Sequence, residues 1–205
     1  MLISGRFLVR CLLVAVALLA GLWLVGCHPA ASPAPPLARY AAELRAARTR
    51  QAQPASYAAT VGIYIDLRRS DTENRLFVLD LRTGRALVAA PCCNGRLDRQ
   101  GQVRYSNALN SCCSSRGVAW TSFDQAYTGQ FGRSYRLHGL STGTTNLAAR
   151  AVVLHGWRRV PARPELVDGQ LVRSWGCPAV APAQLAALGW HLRAHAGRRV
   201  LVCMH

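Results

Sequence analysis

Cys177 lies between Gly176 and Pro178 in the run Arg173-Ser-Trp-Gly-Cys-Pro-Ala179, just ahead of a segment that reads as a helix. A cysteine there suits nucleophilic work. A helix N-terminus favours the thiolate through its dipole and free N–H groups. Gly176 lets the backbone approach a carbonyl carbon closely. Backbone N–H groups around Cys177 are candidates for holding the oxyanion of a tetrahedral intermediate. A thiol near its ordinary pKa of about 8.5 needs a base or a positive neighbour to react quickly at neutral pH. His155, at the end of an apolar strand 22 residues earlier, is the candidate base. The bland alternative is a buried free cysteine and a strand-end histidine that never meet.

The elements that must position these two residues can be read around them. Residues 61–67 alternate and are rich in β-branched side chains, and 75–81 and 86–90 continue as strands separated by polar and Gly-containing turns. Gly-rich, turn-punctuated sequence runs on to Leu140. Residues 151–154 form a short apolar strand that delivers His155. Residues 182–196 read as a helix with Pro182 at its start and Leu185, Leu188, His191 and Leu192 on one face. Gly197 ends it, and 199–204 is the closing strand. Upstream, 37–53 is Ala-rich and helical, with Tyr40, Leu44 and Ala47 on one face, and Pro54 ends it. Few strand–helix alternations occur, which argues against a doubly wound fold. The expected class is mainly β, a sandwich or open barrel of short strands with a few helices.

The order of motifs resembles the murein L,D-transpeptidase catalytic domain family, the YkuD-like family and its larger subgroup in particular. The carrying residues are 127–140 (YTGQFGRSYRLHGL), Asn146 to Arg150, Val152-Val-Leu-His-Gly156 and Arg173-Ser-Trp-Gly-Cys-Pro-Ala-Val180. Ile63 to Asp66 and Arg75 to Asp80 match the opening strands. Ser106-Asn107 and Ser114 to Val118 match the middle. The likeness covers about 57–203. It implies Cys177 as nucleophile and His155 as the base, oriented by the Gly156 carbonyl. Ser174 and Gly176 would shape the loop and the oxyanion site. His138 and Gly139, in the second His-Gly pair, would line the substrate cleft with Trp175, and Arg173 would meet a peptide carboxylate. The implied reaction is acyl transfer between peptidoglycan stem peptides through a Cys thioester, with no metal or organic cofactor. Trp175 stands where many relatives outside the subgroup have His, and Val172 occupies a position that is often Gly. NlpC/P60-type peptidases place Cys before His, the reverse of this chain. The sortase Thr-Leu-x-Thr-Cys context is missing. A reading from another class is a non-catalytic peptidoglycan-binding lipoprotein.

Of the 205 residues, 25 are basic, 9 acidic and 51% hydrophobic, and every basic residue is Arg. A mean hydropathy of +0.10 excludes a polytopic membrane protein. Arg6 and Arg10 precede an apolar run over 11–23, too short for the ~20 residues of a spanning helix. The run closes as Leu24-Val-Gly-Cys27, which resembles a lipobox. The expected organisation is a signal peptide over 1–26, a Pro/Ala spacer over 27–36 starting at a lipidated Cys27, a helix over 37–54 and the catalytic domain over 55–205. His28 after the cysteine resembles the outer-membrane sorting pattern. Without Arg6 and Arg10 the mature chain has 23 basic and 9 acidic residues, a net +14. Nucleic acid is the usual partner of such charge, but an exported address makes anionic wall polymers or lipid headgroups the available polyanions.

Two vicinal pairs, Cys92-Cys93 and Cys112-Cys113, complete the chemistry-bearing residues. In an oxidising compartment the default is disulfide. Adjacent Cα atoms lie ~3.8 Å apart, below the usual disulfide span, so cross-pairing between the two pairs is expected in either connectivity. A zinc site is the rival, although vicinal pairs are not the usual spacing. Cys203 reads as a buried strand residue.

Overall fold

A computed structural model describes residues 36–205; the expected signal peptide, Cys27 as the expected lipidation site and nearly all of the expected spacer lie outside the described residues. Among the described residues two helices, α1 (Leu37–Thr49) and α2 (Pro182–Arg193), accompany ten strands. These are β1 (Val61–Ile65), β2 (Leu76–Asp80), β3 (Ala86–Ala90), β4 (Gly117–Thr121), β5 (Ala126–Gly129), β6 (Gly132–Arg136), β7 (His138–Gly139), β8 (Val153–Gly156), β9 (Ala179–Val180) and β10 (Val200–Met204). They form a six-stranded sheet, β3-β2-β1-β10-β4-β7, and a four-stranded sheet, β5-β6-β8-β9. The fold is mainly β.

The larger sheet is covered on both faces, which explains why β1 and β10 are apolar throughout. Tyr64, Phe77, Leu79, Leu201 and Cys203 point to one face and pack with Tyr40, Ala41, Leu44 and Ala47 of α1. Ile63, Ile65, Val78, Val202 and Met204 point to the other, against Leu154, Val180, Tyr135 and Leu185, Leu188 and Leu192 of α2. Period-two alternation along a strand sends successive side chains to opposite layers. Tyr40 stacks on Tyr64 at 3.9 Å between ring centroids. Its hydroxyl donates to Asp66 at 2.6 Å. Helix α1 belongs to the compact unit Pro36–His205.

Some elements differ from the sequence reading. Helix α1 ends at Thr49, and the 3₁₀ turn Pro54–Ser56 follows separately. The buried face of α2 includes Gly189 in place of His191, because a β-carbon at 189 would collide with the Tyr135 hydroxyl. Strands β4 to β7 and β9 lie in stretches that carry little apolar periodicity. Strand β6, Gly-Arg-Ser-Tyr-Arg, buries only Ser134 and Tyr135.

The vicinal cysteines require a correction. Cys92, Cys93, Cys112 and Cys113 are all free thiols. Cys92 points into the main core, whereas Cys93 points into a small cluster with Val160, Leu171 and Ala179. Adjacent residues in an extended segment face opposite ways, so the pair cannot present both sulfurs to one partner. The 112–113 segment does lie alongside, since the Arg96 N–H donates to the Cys112 carbonyl at 3.0 Å. Its thiols, however, turn to their own loop, Cys112 toward Asn110 O and Cys113 toward Ser111 O.

Candidate active site

Strands β8 and β9 run parallel with His155 opposite Ala179 and Gly156 opposite Val180. This register sets Cys177, two residues before Ala179, level with Val153, two residues before His155, so that period-two alternation turns both side chains to one side. The two side chains line one cavity of about 630 Å³, together with Ser134, Arg150, Ser174 and Trp175. Gly176 makes the turn into Cys177 at φ +104°, a backbone conformation costly for any other residue, and a β-carbon there would collide with the Cys113 carbonyl. Ser174 ties the turn together. Its hydroxyl donates to the Cys177 carbonyl at 2.7 Å and accepts from the Gly176 N–H at 3.1 Å. The Gly176 amide is therefore engaged within the turn. The Ser174 N–H donates to Asn94 O at 2.8 Å.

His155 is 2% exposed. Its Nδ1 lies 3.1 Å from the Gly156 carbonyl oxygen. A carbonyl only accepts, so Nδ1 carries the proton and Nε2 presents its lone pair. Phe131, from the tip of the β5–β6 hairpin, stacks on the imidazole at 4.1 Å. Trp157 closes the aromatic wall at 6.4 Å from both rings. Burial holds the imidazole below its ordinary pKa, against a smaller upward pull from Gly156 O. Burial likewise pushes the Cys177 thiol up, opposed by the Val153 backbone and by the charge of Arg150. The resting pair is accordingly a neutral thiol and a neutral imidazole.

Other predicted site residues fall in different places. Trp175 is 86% exposed at the cavity rim. Arg173 lines the cavity, but its guanidinium is committed to Asp71 at 2.8 Å, Asn94 Oδ1 at 2.8 Å and Gln170 Oε1 at 3.2 Å. His138 stacks on Trp120 at 4.3 Å, and its Nε2 meets Gln125 Oε1 at 2.9 Å. It lines an adjoining cavity of about 380 Å³ that shares Tyr127, Ala151 and Val153 with the first. Gly139 pairs with Ala119 in β7 and allows the Thr144 backbone to approach, where any side chain would clash. Gly139 is thus a packing position outside both cavities. Gly156 contributes its carbonyl to His155 and packs against Pro182. Among the described residues, no three His, Cys, Asp or Glu side chains gather into a group able to hold a metal ion.

Three contributors were not legible as such. Arg150 lies in a stretch read only as part of a motif. Phe131 sits between Gly129 and Gly132, and an aromatic at a hairpin tip was the available signal. Asn94 is the shared acceptor of Arg75 and Arg173.

The family model for the L,D-transpeptidase catalytic domain matches residues 36–196, and the chain belongs to that family. Similar solved structures include the helical cell shape determining protein Pgp2 of Campylobacter jejuni. It has 11% identity over 73% of this chain and 49% of that one, with a TM-score of 0.45. The Ldtfm–avibactam carbamoyl enzyme has 14% identity over 72% and 50%, with a TM-score of 0.41. An L,D-transpeptidase from Xylanimonas cellulosilytica has 17% identity over 77% and 69%, with a TM-score of 0.38. The chain thus spans about half the length of the first two. No curated protein matches it.

Proposed function

We propose that this protein is a cysteine L,D-transpeptidase acting on peptidoglycan stem peptides, with Cys177 as nucleophile and His155 as base. The supporting observation is the β8–β9 register, which sets Cys177 and His155 on one cavity while Gly156 O engages His155 Nδ1 and leaves Nε2 free to act as base. In the first half-reaction Nε2 takes the thiol proton as sulfur attacks the carbonyl of the third stem residue, a diamino acid. The C–N bond to the terminal D-Ala breaks, the imidazolium protonates the leaving amine, and a thioester remains. An amine from another stem or a D-amino acid then attacks the thioester, giving a cross-link or an exchanged peptide. Water in that role gives L,D-carboxypeptidase trimming. On this reading the protein is exported, tethered by a lipid on Cys27 and held off an outer membrane by its Pro/Ala spacer.

Intact-mass spectrometry of the full chain with a disaccharide-tetrapeptide tests the assignment. The expected result is a thioacyl adduct with released D-Ala, followed by dimer or trimmed product. Cys177→Ala should lower turnover by about 10³-fold or more. Binding of peptidoglycan without an adduct, from folded protein with a free Cys177 thiol, would replace this reading with a non-catalytic wall-binding lipoprotein.

A further inference from the structure

We propose that Arg150 is a positioning residue of the cysteine centre, a guanidinium clamped against the Gly176–Cys177 turn so that its positive charge stabilises negative charge on the Cys177 sulfur. The inference rests on the reading of Cys177 as the nucleophile. Arg150 Nη1 donates to Ser106 O at 2.8 Å and to Ser115 Oγ at 2.6 Å, and Nη2 donates to Cys113 O at 2.5 Å. Nη2 also lies 3.0 Å from where a β-carbon on Gly176 would stand, against the residue before the nucleophile. All three acceptors are neutral, and among the described residues no carboxylate forms an ion pair with Arg150. The charge is held rigidly and left unneutralised.

The clamp is itself braced. Asn107 Nδ2 donates to Thr142 O at 2.8 Å and to Thr145 Oγ1 at 2.7 Å. Asn146 Nδ2 returns a bond to Asn107 O at 2.9 Å. The Arg150 N–H donates to Asn146 O at 2.8 Å. These bonds fasten the segment bearing Cys112 and Cys113 to the segment bearing Arg150. The position of the second vicinal pair thereby acquires a reason: the Cys113 carbonyl is the wedge between Arg150 and Gly176.

The titratable and charged groups facing the Cys177 surroundings come from several elements. His155 approaches from β8 and is buried and neutral. Cys93, next to Ser174, is a thiol that burial pushes up to about 11. Tyr127 of β5 and Arg173 line the cavity, and the charge of Arg173 is engaged by Asp71. Arg150 alone of these brings positive charge without a counter-charge. An opposite charge within about 4–6 Å typically lowers an acid's pKa by one to three units, and a positive neighbour is what makes a cysteine reactive.

The test is alkylation of Cys177 by iodoacetamide on the full chain, followed peptide by peptide in mass spectrometry between pH 6 and 10. It needs no substrate. Arg150→Gln should raise the pH midpoint at Cys177 by about one unit and slow alkylation at pH 7 about tenfold. Arg150→Lys should recover part of the shift. A role limited to packing would leave the midpoint in place while altering the plateau rate, and an unshifted midpoint in folded Arg150→Gln overturns the proposal. If that variant does not fold, Ser115→Ala carries the test. Loosening the guanidinium should raise the midpoint by several tenths of a unit, and an unchanged midpoint overturns the proposal. A shifted midpoint in protein that forms no stem-peptide adduct upholds Arg150 and removes the transpeptidase reading. An adduct with an unshifted midpoint does the reverse.

Discussion

Two arginines flank the cavity, and their surroundings are opposites. Arg173 shares Asp71 with Arg75, and both guanidiniums reach Asn94 Oδ1. Arg150 meets only two carbonyls and a hydroxyl. A guanidinium paired with a carboxylate fixes geometry through charge-assisted bonds while its field is largely cancelled. One held by neutral oxygens keeps its field. The Arg173 side of the site is therefore built to hold the 170–174 loop, and the Arg150 side to act on charge. An arginine in a motif beside a cysteine does not by itself reveal which of these it does.

The largest expected effect comes from making the two sides alike. Asp71→Ala strips the counter-charge from Arg173 and from Arg75, which is 1% exposed and donates also to Leu67 O. An unpaired buried guanidinium costs roughly 3–5 kcal/mol, so Tm should fall by about 10 °C in calorimetry. A loss under about 1 kcal/mol would mean that the carbonyls and Asn94 suffice, and the contrast would fail. Gly176→Ala disturbs the Arg150 side alone. It forces a β-carbon into the Cys113 carbonyl at a φ that only glycine adopts cheaply, with a cost of about 1–3 kcal/mol. Denaturant unfolding measures that cost, and Cys177 alkylation should slow alongside it. Lowering the pH has the smallest effect. Burial holds His138, His155, His191 and His205 below their ordinary pKa. The unfolded chain then binds more protons as pH falls through about 6.5, so stability is fully present above that value and declines below it. Tm should be lower at pH 5 than at pH 7.5, with Cys177 alkylation slowing in parallel as thiolate is lost. Equal melting at the two values would show that these imidazoles do not report on folding.

What could be read from residues alone follows from what kind of partner each residue has. Cys177 and His155 were legible because rare reactive types stand beside Gly and Pro in a local pattern. Strands β1, β2, β3 and β10 were legible because the sheet is buried and its residues are apolar. Strands β5 to β7 were not, since Gly, Thr, Ser and Arg are frequent in them and few of their side chains are buried, and the five residues of β4 are too short a run to show a period. Arg150 finds its acceptors 35 to 44 positions away, and two of the three are main-chain carbonyls. A carbonyl leaves no trace in residue identity. The cysteine pairs misled for a related reason: their number and neighbourhood were visible, but the direction of each sulfur depends on an alternation set by Ala179 across the ladder.

The position of β10 has a consequence for how the chain reaches this state. It lies between β1, its parallel partner, and β4, so the last strand occupies the middle of the larger sheet. Ile63 and Val202 are paired across nearly the whole described length. Such a contact closes a very long loop, and topologies of this kind fold slowly. Until residue 204 has emerged, β1 and β4 each present an open apolar edge, and α1 and α2 have only half a sheet to cover. The core of the larger sheet therefore closes only once its central strand is available, late in the chain.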